Sequence, residues 1–251
     1  MSAITFGRTL QRWRNDQFVV TGTLHSAGLR LPLHDHETAN VTIVLRGGFE
    51  ERVERRSFSA ARGSVIVKPA GARHANAYGT HDVECVTIEV PAALRFPEVR
   101  HFVSPLFPLL AERVREGVSG LDVEEIVHRI AGPDIREPHA KWLSVIEQML
   151  REETVTSLAQ LGAAVGRHPA HVAREFRAYY GCSVGEFVRA RRVETARDAL
   201  RDSDRAIAEI ALEAGFYDQS HFTNVFRRFL GTTPERYRAQ RSSKTKPRRR
   251  P

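Results

Sequence analysis

The sequence predicts an α+β protein of two domains, an antiparallel β-barrel followed by a domain that consists only of helices. The chain has 251 residues, more than the roughly 100–200 residues of one domain. Its first 90 residues contain short segments rich in β-branched side chains and separated by Gly and Pro, which indicates a sandwich or barrel. From residue 138 onward, apolar residues recur at helical spacing.

The composition excludes several other classes of protein. Apolar residues make up 41% and charged residues 27%, which is a globular balance and not that of a disordered chain. No run approaches 18 consecutive apolar residues, and the N-terminus lacks the basic-then-apolar pattern of a signal peptide. The two cysteines, Cys85 and Cys182, form no disulfide framework. We therefore expect a cytoplasmic protein with no membrane partner.

Residues 1–100 are assigned to the barrel. The segments with the clearest strand character are 18–20, 41–45, 64–67 and 83–88. Gly47-Gly48 follows the second of them, which predicts a hairpin turn with positive φ leading into a strand at 49–53.

Residues 101–137 are expected to form a helical dimerisation or linker region. Apolar residues at helical spacing predict two short amphipathic helices, at 105–116 and 121–131. These helices either cover the barrel or form the interface of a homodimer, and the sequence leaves both interpretations open.

The net charge of +8 is confined to the C-terminal part of the chain. Residues 1–139 contain 17 basic and 17 acidic side chains, whereas residues 140–251 contain 21 and 13. Much of the excess lies in residues 242–251, which have no apolar side chain to bury and are predicted to be a disordered basic tail. A basic excess favours a nucleic-acid partner without proving one.

One helical unit occurs twice in residues 138–241. Residues 167–187 align with residues 217–237 at an offset of fifty, so that His171 matches His221. Each copy reads as a short helix, a turn containing Gly and a second helix with an aromatic face. This is the helix-turn-helix arrangement, in which the second helix can enter the major groove of DNA. Two copies indicate a DNA-binding domain and not a generic helical bundle.

The stretch IAEIALEAGFYDQSHFTNVFRRFLGTTPERYR (residues 207–238) resembles the signature of the AraC/XylS transcription regulators. The preceding SLAQLGAAVGRHPAHVAREFRAYYG (157–181) is similar to their first helix-turn-helix, and RARRVETARDAL (189–200) to their linking helix. The resemblance implies a seven-helix domain at 138–241 that reads two successive major-groove segments on one face of double-stranded DNA. An activator of this kind would also contact RNA polymerase.

Solvent-facing positions early in each second helix are the expected base readers, namely His171, Arg174, Gln219, Ser220, Thr223 and Asn224. Arg174 is the strongest candidate, because an arginine can bond guanine O6 and N7 together. Gln and Asn suit adenine N6 and N7. The expected phosphate contacts are Arg177, Arg192, Arg227 and Arg228.

In the N-terminal domain, GLRLPLHDHETANVTIVLRG (28–47) and GSVIVKPAGARH (63–74) resemble the two cupin motifs. The resemblance implies a cupin-like barrel that senses a small-molecule effector, with His34, His36, Asn40 and His74 in its pocket. Independently of the resemblance, His34 and His36 alternate on a predicted strand and share one face, to which a neighbouring strand could bring His74.

Two interpretations of these histidines remain open. Three imidazoles with open positions suit a divalent transition metal such as Zn, Fe, Ni or Cu, held by His34, His36 and His74. Asn40 stands where the cupin family has Glu, so the carboxylate that would help to bind a metal is missing. The histidines would otherwise line a metal-free ligand pocket.

The expected function is a ligand-responsive, sequence-specific DNA-binding transcription regulator that acts as a homodimer and is not an enzyme. The alternatives are a metal-dependent cupin enzyme, an oxygenase or isomerase, and a direct metal sensor. The sequence contains no nucleophile–base pattern and no phosphate-binding loop that would favour other enzymes.

Overall fold

A computed structural model of the chain describes residues 7–14, 17–54, 56–91, 93–94, 96–115, 120–130, 141–152 and 157–244. The chain divides into two compact units, residues 1–184 and residues 185–251. Unit 1 contains ten strands and five helices within its described residues, and unit 2 contains four helices. The α+β class and the order of strands before helices are confirmed.

The ten strands of unit 1 form two antiparallel sheets. They are β1 (Arg8–Arg14), β2 (Val19–His25), β3 (Arg30–His34), β4 (Asn40–Arg46), β5 (Gly48–Val53), β6 (Arg56–Ala61), β7 (Ser64–Lys68), β8 (His74–Tyr78), β9 (Val83–Glu89) and β10 (Arg100–Val103). The larger sheet has the order β1-β2-β9-β4-β7-β10, and the smaller sheet has the order β3-β8-β5-β6.

An apolar core joins the inner faces of the two sheets. The larger sheet contributes Val44, Ile66, Val83 and Cys85, and the smaller contributes Leu31, Phe49, Ala60 and Tyr78. Alternation along each strand sends these residues inward, because successive side chains of a strand point to opposite faces. Burial of such side chains contributes about 1.5–3 kcal/mol each and is the main force that holds the sheets together.

The predicted hairpin at Gly47-Gly48 is wrong. Strand β4 pairs with β7 and β9, whereas β5 pairs with β6 and β8, so the chain passes from one sheet to the other at Gly47. The positive φ at Gly47 is confirmed at 73°. A Cβ there would lie 2.6 Å from the carbonyl oxygen of Asp82, so this crossing needs glycine.

Two helices follow the barrel, α1 (Leu106–Arg115) and α2 (Gly120–Ile130). Residues 106–111 of α1 are all buried, and α1 packs on β4 and on α2. Arg100 of β10 donates from both terminal nitrogens to the carbonyl oxygen of Ile130, at 3.1 Å each, and so satisfies an orphan group at the end of α2. These contacts support the interpretation that the helices cover the barrel.

Two of the predicted domain boundaries need correction. Strand β10 begins at Arg100 and completes the larger sheet, so the barrel extends beyond residue 100. The last helix continues to Lys244, three residues into the predicted tail, because polar residues extend a helix that is already nucleated. The boundary at 137/138 and residues 245–251 lie outside the described residues.

The remaining helices match the seven predicted for residues 138–241. They are α3 (Lys141–Arg151), α4 (Leu158–Val165) and α5 (Pro169–Tyr180) in unit 1, and α6 (Val184–Asp202), α7 (Ile207–Glu213), α8 (Gln219–Leu230) and α9 (Pro234–Lys244), which form unit 2 from Gly185 onward. No helix of the described residues is long and apolar enough to span a bilayer.

Candidate nucleic-acid interface and ligand cavity

The first helix-turn-helix consists of α4, a tight turn and α5. Ser157 begins α4 by accepting a hydrogen bond from the backbone N–H of Gln160 (3.2 Å), and Gly166 ends it with φ 62°. Pro169 occupies the first turn of α5, where its missing N–H costs nothing. A Cβ on Gly162 would lie only 2.5 Å from the carbonyl oxygen of Arg167, so the turn folds back closely on α4.

Helix α5 buries Val172, Phe176 and Tyr180 and turns its other side outward. The base-reading candidate Arg174 is 71% exposed on that side. Its Nη2 lies 2.8 Å from Nδ1 of His171, and its Nε donates to Glu175 over 3.2 Å. The structure therefore brings both base-reading candidates of α5 together in one exposed polar cluster.

Helix α8 has the same division into faces. Asp218 caps it by accepting from the backbone N–H of His221 over 2.6 Å. Phe222, Phe226 and Phe229 are buried. The four base-reading candidates lie on the other side, with Gln219, Ser220 and Asn224 exposed and Thr223 half-buried.

Of the four expected phosphate contacts, Arg177, Arg227 and Arg228 are exposed on α5 and α8. Arg192, the fourth, is half-buried and bonds to the backbone. Its Nη1 donates to the carbonyl oxygen of Gly215 over 2.6 Å, in the turn between α7 and α8. Arg192 therefore joins α6 to the turn of the second helix-turn-helix within unit 2. Its expected contact with phosphate stays a prediction.

Sequence reasoning missed one exposed side chain at this surface. Tyr217 immediately precedes the cap of α8 and is 87% exposed, which is unusual for an aromatic residue. Phe216 in the same turn is only 3% exposed, so position in the turn gave no signal that would have found Tyr217.

A cavity of about 370 Å³ opens between the two sheets of the barrel. Its wall contains alternate residues of β2, β4 and β9 from the larger sheet, which are Thr21, Thr23, His25, Asn40, Thr42, Cys85, Thr87 and Glu89. Facing them are Leu31, His34, Phe49, His74, Asn76 and Tyr78 of the smaller sheet, with Lys68 from β7 and the loop residues Asp35, His36, Glu37 and Thr38. Such a volume suits a small molecule.

The four predicted pocket residues all line this cavity. His34 and His74 are paired across β3 and β8. One ring nitrogen from each of His34, His36 and His74 lies within 4.8 Å of the others. Asn40 is 3% exposed, and its Oδ1 has no hydrogen-bond partner among the described residues.

Backbone contacts orient two of the imidazoles. Nδ1 of His34 lies 2.8 Å from the carbonyl oxygen of Pro32, and Nδ1 of His74 lies 3.0 Å from that of Ala72. A carbonyl oxygen only accepts, so each Nδ1 carries the hydrogen and the lone pair of the neutral ring is on Nε2. A hydrogen bond from Nδ1–H to a carbonyl oxygen fixes the tautomer and the ring orientation, as is typical of histidines that ligate a metal through Nε2.

Burial lowers the pKa of His36 to about 4 and that of His74 to about 3, and the nearby positive charge of Lys68 contributes to lowering both. Both rings are therefore neutral near pH 7. Neutral imidazoles fit the nitrogen ligands of a transition metal.

Sequence reasoning also missed a buried ion pair beside these rings. Nζ of Lys68 donates to Oε1 of Glu51 over 2.8 Å, and both side chains are almost fully buried. The same oxygen lies 4.0 Å from Nε2 of His74. The barrel thus holds a carboxylate near the histidines, on β5 and not at position 40, although an ammonium group already neutralises it.

The helical part of the chain is similar to known transcription regulators. A family model described as a helix-turn-helix domain matches residues 161–240. Probable transcription factor PqrA of Proteus vulgaris is 36% identical over 98 residues, which are 39% of this chain and 78% of PqrA. Transcriptional activator NphR of Rhodococcus sp is 31% identical over 139 residues, which are 55% of this chain and 39% of NphR.

Solved structures show only distant likeness. Unsaturated-fatty-acid-bound ToxT from Vibrio cholerae gives a TM-score of 0.35 at 12% identity, over 91% of this chain and 97% of that chain. A Cupin 2 conserved barrel domain protein from Salinispora arenicola gives 0.31 at 21% identity, over 35% and 76%. The fold is defined by the strands and helices described above.

The repeated helix-turn-helix and its match to PqrA agree on the identity of the helical domain. Both copies have the capped, amphipathic second helix that entry into the major groove requires. The family model extends over both copies, and the matched region covers most of PqrA. The chain belongs to the AraC/XylS family of transcription regulators.

Proposed function

We propose that this protein is a ligand-responsive transcription regulator that binds specific DNA sequences through α5 and α8. The repeat supports the proposal most directly, because two second helices with exposed polar faces occur in one chain. His171 and Arg174 read bases from α5, and Gln219, Ser220, Thr223 and Asn224 read bases from α8. Arg177, Arg227 and Arg228 contact phosphates.

The two sets of side chains have different consequences for binding. Arg174 bonds guanine O6 and N7, whereas Gln219 and Asn224 bond adenine, so each determines the affinity for particular base pairs. Arginine contacts with phosphate add affinity on every sequence and increase its dependence on salt. The specificity of the protein therefore comes from few positions, and most of its affinity comes from charge.

The control of DNA binding by a ligand is supported by contacts within unit 1. Lys68 of the cavity is the last residue of β7, and β7 pairs with β10 through Val67 and Arg100. The hydroxyl of Tyr179 on α5 donates to the carbonyl oxygen of His101 on β10 over 3.2 Å. A ligand that binds one arrangement of these strands more tightly than another would therefore shift α5 as well.

Selection of DNA fragments by the purified full chain tests the proposal. We expect enrichment of a common sequence over bulk DNA, and we expect Arg174→Ala to lose preference at one base pair. Arg8→Ala is the control, because it removes the same charge from an exposed position on β1 and not on either of the two helices. Failure to enrich any sequence would contradict the proposed function.

A second candidate is direct metal sensing, which the geometry of His34, His36 and His74 favours. A divalent transition metal held by these three nitrogens would act as the effector or help to bind it. The test is metal stoichiometry after dialysis, with His34→Ala as the variant. Retention of one metal per chain, lost in the variant, is expected; equal retention in both proteins would refute the site.

The proposal also includes two protein partners. The chain would act as a homodimer, and as an activator it would contact RNA polymerase.

A further inference from the structure

The charged side chains on the wall of the cavity are mostly acidic. Asp35, Glu37 and Glu89 line it, and Lys68 is the one Lys or Arg among the described lining residues. Lys68 is already bonded to Glu51 behind it. Asp35 and Glu37 are exposed and Glu89 is half-buried, so all three carboxylates can be reached by a ligand. The wall therefore attracts cations and repels anions.

The buried side chain of Asn40, also on the cavity wall, requires a hydrogen-bond donor. Oδ1 of Asn40 is buried and has no partner among the described residues, although an unsatisfied buried polar atom costs about 1–3 kcal/mol. Asn40 lies directly opposite Glu89 in the register of β4 and β9. These two neighbouring side chains both offer acceptor oxygens to whatever occupies the cavity.

Aromatic rings form another part of the same wall. Tyr78 lies 5.1 Å from Phe49 and stacks on His25 at 4.5 Å, measured between ring centroids, and all three residues line the cavity. The face of an aromatic ring carries partial negative charge and attracts a cation within about 6 Å.

We propose that the effector bound in this cavity is a small organic cation with several N–H donors, such as an amine or amidine. The inference rests on the proposed control of the regulator by a ligand and names the chemical class of that ligand. Glu89 and Asn40 accept its N–H groups, the carboxylates of Asp35 and Glu37 attract it at the entrance, and the rings of Tyr78 and Phe49 cover its carbon chain. A neutral polyol would gain no attraction from the carboxylate charges, and a carboxylate ligand would be repelled by them.

Three probes of equal length separate these possibilities, namely 1,4-diaminobutane, 1,4-butanediol and succinate. Calorimetric titration of the full chain is done near neutral pH with a chelator present, so that bound metal makes no contribution. We expect the diamine to bind at least about tenfold more tightly than the diol, and succinate to bind most weakly. Equal affinity for diamine and diol, tighter binding of succinate, or binding of none of the three would overturn the proposal.

A pair of variants on one strand locates the site. Glu89→Gln removes a cavity carboxylate and keeps its shape, and we expect it to weaken diamine binding about tenfold. Glu84→Gln is the matched control, because Glu84 lies near the other end of β9 and does not line the cavity. Asn40→Asp adds a carboxylate beside Glu89 and is expected to strengthen binding. Unchanged affinity in both cavity variants would place the cation elsewhere and refute the assignment.

The two proposals fail in distinguishable ways. Titration of the free protein measures the cavity without DNA, so loss of DNA selection leaves its result intact. If the diamine binds at Glu89 but does not change affinity for the selected DNA, the proposed ligand control is wrong and the assigned ligand class stands. If DNA selection succeeds and no cation binds, only the ligand class is wrong.

Discussion

The two helix-turn-helix copies share a repeat but differ in the residues that are proposed to read bases. On α5 the strongest base-reading candidate is Arg174, which is bonded to Glu175 and His171. On α8 it has four polar residues without formal charge. We therefore expect the two copies to divide the reading of DNA, with specificity concentrated in Arg174 on α5 and distributed over several side chains on α8.

The turns of the two copies also differ. Gly162 in the first copy corresponds to Ala211 in the second, and both are buried. The second copy thus accommodates a methyl group that the first excludes, because a Cβ at 162 would lie 2.5 Å from the oxygen of Arg167. In the second copy the close contact is instead between Gly215 and Arg192, where a Cβ would lie 3.0 Å from Nε.

The largest expected effect follows from this difference. Gly162→Ala should lower the free energy of unfolding by about 3 kcal/mol, because the added methyl meets backbone and not a movable side chain. Chemical denaturation of the full chain measures it. Gly79→Ala is the control, since nothing lies within 4 Å of a Cβ there. Equal stability of the two variants would show that the first turn accommodates a methyl group as well as the second turn does.

Arg174→Ala should reduce affinity for the selected DNA by about 2 kcal/mol and relax preference at one base pair. Asn224→Ala on α8 should cost less, since neighbouring readers remain. Binding assays on the selected site and on single-base variants of it measure both. An equal loss on every sequence would make Arg174 a phosphate contact and would remove the contrast between the helices.

The caps of the two reading helices give a smaller effect. Asp218 bonds the first turn of α8 at 2.6 Å, whereas His168 bonds that of α5 at 3.3 Å. Asp218→Ala should lower the free energy of unfolding by about 1 kcal/mol, and His168→Ala by about 0.5 kcal/mol. Thermal unfolding compares the two variants, and a larger loss from His168→Ala would contradict this ranking of the caps.

The smallest effect concerns the region beyond both copies. Removal of residues 245–251 should leave the preferred DNA sequence unchanged and reduce both the non-specific affinity and its salt dependence. Titrations at several salt concentrations measure the slope. An unchanged slope would show that the terminal basic residues do not contact phosphate.

The sequence predicted what depends on local pattern and missed what depends on distant pairing. Helical periodicity and capping residues predicted the helices of the DNA-binding domain, because those signals lie within a few residues of one another. The crossing at Gly47 was predicted as a hairpin, since positive φ is local but the choice of partner strand is not. The hydrogen bond from Arg192 to Gly215 was missed for the same reason, because the two residues are 23 positions apart.

The residues of the cavity could likewise be predicted only where the signal is local in the sequence. The histidines were found because their spacing is a motif, and the register of β3 and β8 brings His34 and His74 together. The Lys68–Glu51 pair joins strands of different sheets, so no spacing along the chain predicts it. Glu89 lies on an alternating strand, but only pairing with Asn40 shows that it borders the cavity.

We propose that both copies read DNA, each through its own second helix. Selection of DNA by the full chain, repeated with Arg174→Ala and with Asn224→Ala, tests it most directly. We expect a site with two recurring blocks of sequence, of which Arg174→Ala weakens one and Asn224→Ala weakens the other. A single block, or the same block weakened by both substitutions, would contradict the claim.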